Sequence, residues 1–195
     1  VTGGNLGVEH EDGSELIYLG NEKEKFLVNW VLDALENQPD LRLIVWCRFR
    51  RERERLRKAF EVIQVFNKNF ELFQIYGGQK PTYRHEALDA FSLPRKPGAA
   101  ILLGQPAAGG LGVNLTAADT VFYFSNDYNL ATRLQSEDRC HRIGQRNPVT
   151  YMDLIATGPD GQRTLDHIVL KALRKKQDLA VWTASRWKEK LTEDV

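Results

Sequence analysis

The chain has 195 residues, of which 42% are hydrophobic and 27% charged. That composition provides for one ordinary core and excludes wholesale disorder. A net charge of +1 excludes attraction of nucleic acid by bulk charge, so any basic surface must be local. The two cysteines, Cys47 and Cys140, argue against a disulfide framework, and the four histidines lie far from any paired metal-ligand spacing, so no metal is expected. No apolar run reaches membrane-spanning length and no signal-peptide layout opens the chain, which leads to the expectation of a cytoplasmic protein with no membrane partner. The first residue is Val1 rather than methionine, so a fragment or a processed chain is expected.

Residues 1–20 are rich in glycine and acids and read as an irregular lead-in, with a short apolar run at 16–19. Asn21 can cap the helix that follows, in which Phe26, Leu27, Trp30, Val31 and Leu35 recur at three- and four-residue steps. Pro39 closes it. Residues 41–47 (LRLIVWC) form a near-continuous apolar run, the pattern of a strand covered on both faces. A helix over 50–67 should turn Leu56, Ala59, Phe60 and Ile63 inward and its alternating Arg and Glu outward. Strands follow at 71–76, 99–103, 120–124 and 149–156, with a helix at 82–91 opened by Pro81 and another at 129–143 stopped by Gly144. From 164 to about 190 the pattern is helical again, with Lys171, Arg174, Lys175, Lys176, Arg186, Lys188 and Lys190 on a cationic side next to Trp182 and Trp187.

Strands alternating with helices predict an α/β fold: a three-layer parallel sheet with helices on both faces. The expected division is 1–20 as lead-in, 21–163 as the domain, and 164–195 as a basic helix packing on it or extending from it. Such sheets bind ligands beyond the carboxyl ends of their strands, so the loops after Cys47, Tyr76, Leu103 and Phe124 matter most.

Two features there carry chemistry. Residues 104–112 (GQPAAGGLG) bring backbone N–H groups close to an anion, because glycine has no Cβ. A dinucleotide fingerprint is a poor fit, since Leu115 stands where the third glycine should be; a tight structural turn is the plain alternative. Gln135, Arg139 and Arg142 step by four and three, which on a helix places them on one face, with Leu130 and Leu134 holding the helix to the core. Two adjacent guanidiniums suit phosphate oxygens, and a surface helix salt-bridged through Glu137 and Asp138 is the alternative. His141 is turned to another side and reads as structural. In the basic run 48–58 only Arg48 and Arg50, at the strand end, are candidate phosphate contacts. No Gly-Lys-Ser/Thr phosphate loop occurs in the chain.

The block GGLGVNLTAADTVFYFSNDYN…RLQSEDRCHRIGQRNPVTYMDLIA resembles the second RecA-like lobe of Swi/Snf-type superfamily two helicases, and within them the phage or prophage type. Residues 109–115 resemble motif V, 135–145 motif VI and 41–49 motif IV. Gln105-Pro106-Ala107 replaces the Ser-Thr-Arg of many members, and Asp127-Tyr128-Asn129 the Asp-Trp-Asn. The resemblance implies a RecA-like P-loop NTPase fold and the C-terminal motor lobe of an ATP-dependent DNA helicase or translocase. By the same resemblance Arg142 is the arginine finger and Arg139 its companion, with Gln135, Gly112 and Asn114 near the nucleotide. Gly77, Gly78, Gln105, Gly109 and Arg48 follow the DNA backbone. ATP and Mg²⁺ are held mainly by an N-terminal RecA-like lobe of the same protein, so this stretch alone is expected to be inactive. The rival expectation is a non-catalytic nucleic-acid-binding or scaffold domain of the same fold, indifferent to Arg139 and Arg142.

Overall fold

A computed structural model of the chain describes residues 5–10, 13–18, 20–67, 70–92, 98–109, 113–142, 145 and 148–193, with side chains described between residues 20 and 181 apart from 109. Strands β1 (Asn5–His10) and β2 (Gly13–Tyr18) pair antiparallel as a separate ribbon. The expected irregular lead-in therefore contains a hairpin. Leu6 stands opposite Ile17 and Val8 opposite Glu15.

The domain then runs α1 (Glu22–Asn37), β3 (Arg42–Trp46), α2 (Arg50–Phe66), β4 (Phe70–Ile75), α3 (Pro81–Ser92), β5 (Ala99–Gly104), β6 (Thr120–Tyr123), α4 (Leu130–Asp138), β7 (Thr150–Asp153) and α5 (Leu165–Glu193). The five strands of the main sheet lie in the order β4-β5-β3-β6-β7, and every neighbouring pair is parallel. Both faces are covered, as the apolar runs require. Leu43 and Val45 of β3 join a core with Leu27 and Val31 of α1 and Leu56 and Phe60 of α2. Ile44 and Trp46, one residue out of step, join a second core with Leu88 and Phe91 of α3. Trp30 meets the Phe122 ring edge-on at 4.7 Å between centroids.

Gly104 has a steric role at the end of β5. A Cβ there would stand 2.6 Å from Trp46 Cζ3 and 2.8 Å from Ile75 Cγ1, so only hydrogen lets the fully buried indole lie across the strand ends.

Several sequence expectations shift. Asn21 occupies the N-cap of α1 but makes no side-chain cap bond. Phe26 is 54% exposed, while Lys23 is buried and donates to Asp166 Oδ2 at 3.0 Å. Asp166 also accepts from Ala156 N, which anchors the start of α5 to the domain. On α2, Glu52 and Arg53 face inward rather than out. Strand β7 is shorter than the expected 149–156.

The largest change is at α4, which ends at Asp138 instead of continuing to 143. Its terminal carbonyls are captured by donors from elsewhere. Leu115 N donates to Arg139 O at 3.0 Å, and Gln145 Nε2 donates to Cys140 O at 3.3 Å. The N–H groups of both Cys140 and His141 turn back to Glu137 O, so the chain tightens out of helix there. Leu130 and Leu134 are only half-buried; the one buried residue of α4 is Ser136. Gly144 lies outside the described residues.

Candidate functional site

At the carboxyl edge of the sheet, the loops after β3, β4, β5 and β6 enclose a cavity of about 220 Å³ whose walls include Arg48, Gly77, Gln105, Asn126, Asp127 and Arg133. Three residues expected at the DNA are joined there by one side chain. Gln105 Nε2 donates to Arg48 O at 3.3 Å, and Gln105 Oε1 accepts from Gly77 N at 3.3 Å. Its own N–H donates to Ile75 O. Gly78 follows with φ +82, the left-handed region that favours glycine, and faces open space. Gly109 closes a single 3-10 turn, Pro106–Gly109. The Arg48 guanidinium lies 4.9 Å from the Phe49 ring centroid and 3.6 Å from Asp127 Oδ1, a loose, largely exposed pair that leaves its charge available. Arg50 is instead paired with Glu54 on the helix surface.

Beneath Arg48 is a support absent from the sequence expectations. Ser125 Oγ accepts from Arg48 N at 2.8 Å and donates to Glu52 Oε2, which also accepts from Phe49 N. Glu52 is the third residue of α2 and makes the return bond of a capping box to Phe49 N, but a phenylalanine at the N-cap has no side-chain acceptor, so the usual sequence signature of that arrangement is missing. Glu52 Oε1 is buried without a partner. Burial pushes the Glu52 carboxyl up to about 7, against the Ser125 and Phe49 hydrogen bonds, which lower it.

Arg133 is the second unforeseen residue. It donates to Asn126 Oδ1 at 2.8 Å, to both carboxylate oxygens of Asp153, and to Glu137 Oε1. Its guanidinium stacks 3.4 Å from the Tyr123 ring centroid, and Tyr123 Oη meets Ser136 Oγ at 2.6 Å. Burial alone would lower the Arg133 pKa, but its bonds to Asp153 and the neighbouring acids raise it, so the cation is held. Glu137, which the salt-bridged alternative would give to Arg139 or Arg142, is taken by Arg133.

The one-face arrangement of Gln135, Arg139 and Arg142 is not formed, because α4 ends between the first and the second. Gln135 is exposed, Arg139 is 6% exposed and Arg142 is exposed. Arg139 Nη1 donates to Pro106 O at 3.1 Å, tying the arginine segment to the turn after β5. Its pKa is lowered chiefly by burial and also by the nearby Arg142 charge. The Arg142 carbonyl accepts from Gln145 N at 3.0 Å, but its guanidinium makes no hydrogen bond or ion pair among the described residues. His141 is exposed, so it fills no core position. Asn114 is exposed; its Oδ1 accepts from Thr116 N and its carbonyl from Ser92 Oγ. Gly112, and Gly110 beside it, lie outside the described residues.

On α5, Lys171, Arg174 and Lys175 are exposed, and Lys176 Nζ reaches Tyr128 O at 2.7 Å, beside the cavity loop. The side chains of Trp182 and Trp187 lie outside the described residues. Among the described residues no group of three or more His, Cys, Asp or Glu can hold a metal ion, and no helix is long and apolar enough to cross a membrane.

A five-stranded parallel sheet wrapped by helices, with loops gathered at its carboxyl edge, defines a RecA-like second helicase lobe. The structure of the C-terminal part of the Fun30 ATPase domain matches it with a TM-score of 0.57 at 21% identity, covering 77% of this chain and 44% of that one, a likeness of fold. The chain belongs to the helicase conserved C-terminal domain family, whose model matches residues 22–144. Swi/Snf-type helicases are among its homologues.

The chain is similar to nuclear protein STH1/NPS1 of Saccharomyces cerevisiae, at 34% identity over 140 residues, 68% of this chain and 10% of the relative. An ATP-dependent helicase of Mycoplasma pneumoniae is 30% identical over 187 residues, 93% of this chain and 16% of the relative. The chain therefore spans only a small part of these relatives. These relatives do not support the expected phage or prophage branch.

Proposed function

We propose that this chain is the C-terminal motor lobe of an ATP-dependent DNA helicase or translocase, and that it supplies Arg142 to the phosphates of a nucleotide held by another lobe. One observation carries the reading. Arg133 and Arg139 are committed to partners within the domain, whereas Arg142 is an exposed cation with none among the described residues. A guanidinium left open beside a buried one suits an incoming phosphate, whose oxygens it binds as a planar fork.

In this reading an N-terminal lobe brings ATP with Mg²⁺, and closure carries Arg142 onto the charge that develops on the transferring phosphoryl group. Arg139, Gln135, Gly112 and Asn114 complete the nucleotide side. Arg48, Gly77, Gly78, Gln105 and Gly109 form the DNA side. The Gly77 and Gln105 loops, clamped by one amide, would hold the DNA backbone without reading bases. Lacking a phosphate loop, the stretch alone does not turn over ATP.

Steady-state ATPase assays on the full-length protein test this. Arg142→Ala should cut turnover by about 10³-fold or more with nucleotide affinity nearly intact. Equal losses of binding and turnover would make Arg142 structural, and turnover by the isolated lobe that survives Arg142→Ala would refute the reading.

A further inference from the structure

The turn Pro106–Gly109 joins the two sides of the proposed site, and its carbonyls are held from two directions. Pro106 O accepts from Arg139 Nη1 at 3.1 Å, and Ala108 O accepts from Arg84 Nη1 at 2.9 Å. The two arginines come from different elements: Arg139 from the C-cap of α4 and Arg84 from the first turn of α3. Arg84 is half-buried, and its Nε is buried without a partner, so its head group is committed to the turn rather than to solvent. Arg84 also stands just beyond the Gly77–Gly78 loop, which Gln105 fastens to the same turn. The turn itself is minimal, with Ala108 N donating to Gln105 O at 2.9 Å. A single 3-10 turn with so little internal bonding depends on outside donors to keep its shape.

We propose that Arg84 is a positioning residue that keeps the Gln105–Gly109 loop in its DNA-binding shape while Arg139 is engaged with nucleotide. This rests on the assignment of Arg139 to the nucleotide side. Arg139 is 6% exposed, so reaching a phosphate held by another lobe means moving its head group off the Pro106 carbonyl, which withdraws one brace from the turn. Leu115 N remains bonded to Arg139 O, so movement of that segment also pulls on the chain beyond the glycines. Arg84, fixed on α3, does not take part in that exchange. Without it, nucleotide binding would loosen the DNA-side loop at the stage when the lobes must grip.

The test measures DNA affinity of the full-length protein with and without a non-hydrolysable ATP analogue, for wild type, Arg84→Met and Arg84→Lys. Melting curves establish that each variant is folded. Arg84→Met should bind DNA within about twofold of wild type without nucleotide and about tenfold or more weaker with the analogue, the loss of one charge-assisted hydrogen bond. Arg84→Lys, which keeps one donor for Ala108 O, should recover most of that loss. Equal weakening in both states would make Arg84 a purely structural residue and overturn the proposal, as would no weakening in either. Failure of the motor-lobe reading itself shows separately, as ATP turnover that does not depend on Arg142.

Discussion

Replacing Glu52 by glutamine tests the support under the Arg48 loop. The carboxyl is 1% exposed, and burial raises it from the ordinary 4.5 to about 7. That interval corresponds to roughly 3 kcal/mol at about 1.36 kcal/mol per pH unit. The folded chain holds this proton more tightly than the unfolded chain. The contribution is therefore fully present below pH 4.5 and is lost as pH rises through about 7. Glutamine keeps the shape and an acceptor for Phe49 N but does not ionise. Urea or thermal melts from pH 4.5 to 8 should show wild type losing roughly 3 kcal/mol relative to Glu52→Gln, or about 6–12 °C in Tm for a domain of this size. Parallel pH profiles for the two proteins would refute the reading of Glu52 as a buried carboxyl that holds its proton in the folded chain.

Three further outcomes are expected. Gly104→Ala forces a methyl group against Trp46 and Ile75 and should cost about 1–3 kcal/mol in denaturant unfolding; a neutral result would mean the indole can shift. Arg133→Lys loses the two-pronged contact with Asp153 and the stacking on Tyr123, so the urea midpoint should fall by an amount equivalent to about 1–3 kcal/mol; an unchanged midpoint would mean that a point charge suffices. Asp166→Ala leaves Lys23 buried without its carboxylate and should cost about 3–5 kcal/mol, with a double-mutant cycle against Lys23→Met showing strong coupling; additive losses would place the effect elsewhere.

The layered fold was legible because its strands are buried on both faces and its helices are amphipathic. Runs such as LRLIVW and AAILL admit few other arrangements, and observed strand and helix positions differ from the expected ones mostly by a residue or two. Order within the sheet was not legible in this way. That β5 lies between β4 and β3 depends on contacts such as the close approach of Gly104 to Trp46, which pattern alone does not reveal. Glu52 and Arg53 are expected outside and lie inside, and Lys23 and Asp166 carry no sequence signal of burial, for one reason: a charged residue at helical spacing reads as a solvent-facing position until its distant partner is known. Lys23 and Asp166 are 143 residues apart, and Glu52 and Ser125 are 73 apart.

The arginine segment shows where periodicity fails. Steps of four and three identify a shared face only while the helix lasts, and the carbonyls just past α4 bond to one distant donor and one near one. The Leu115 N–H takes the Arg139 carbonyl, and the Gln145 amide takes the Cys140 carbonyl. With those carbonyls bonded to donors outside the helix, consecutive arginines separate into one buried and one exposed. The residue identities at 139 and 142 could be read from sequence, but their difference in burial could not.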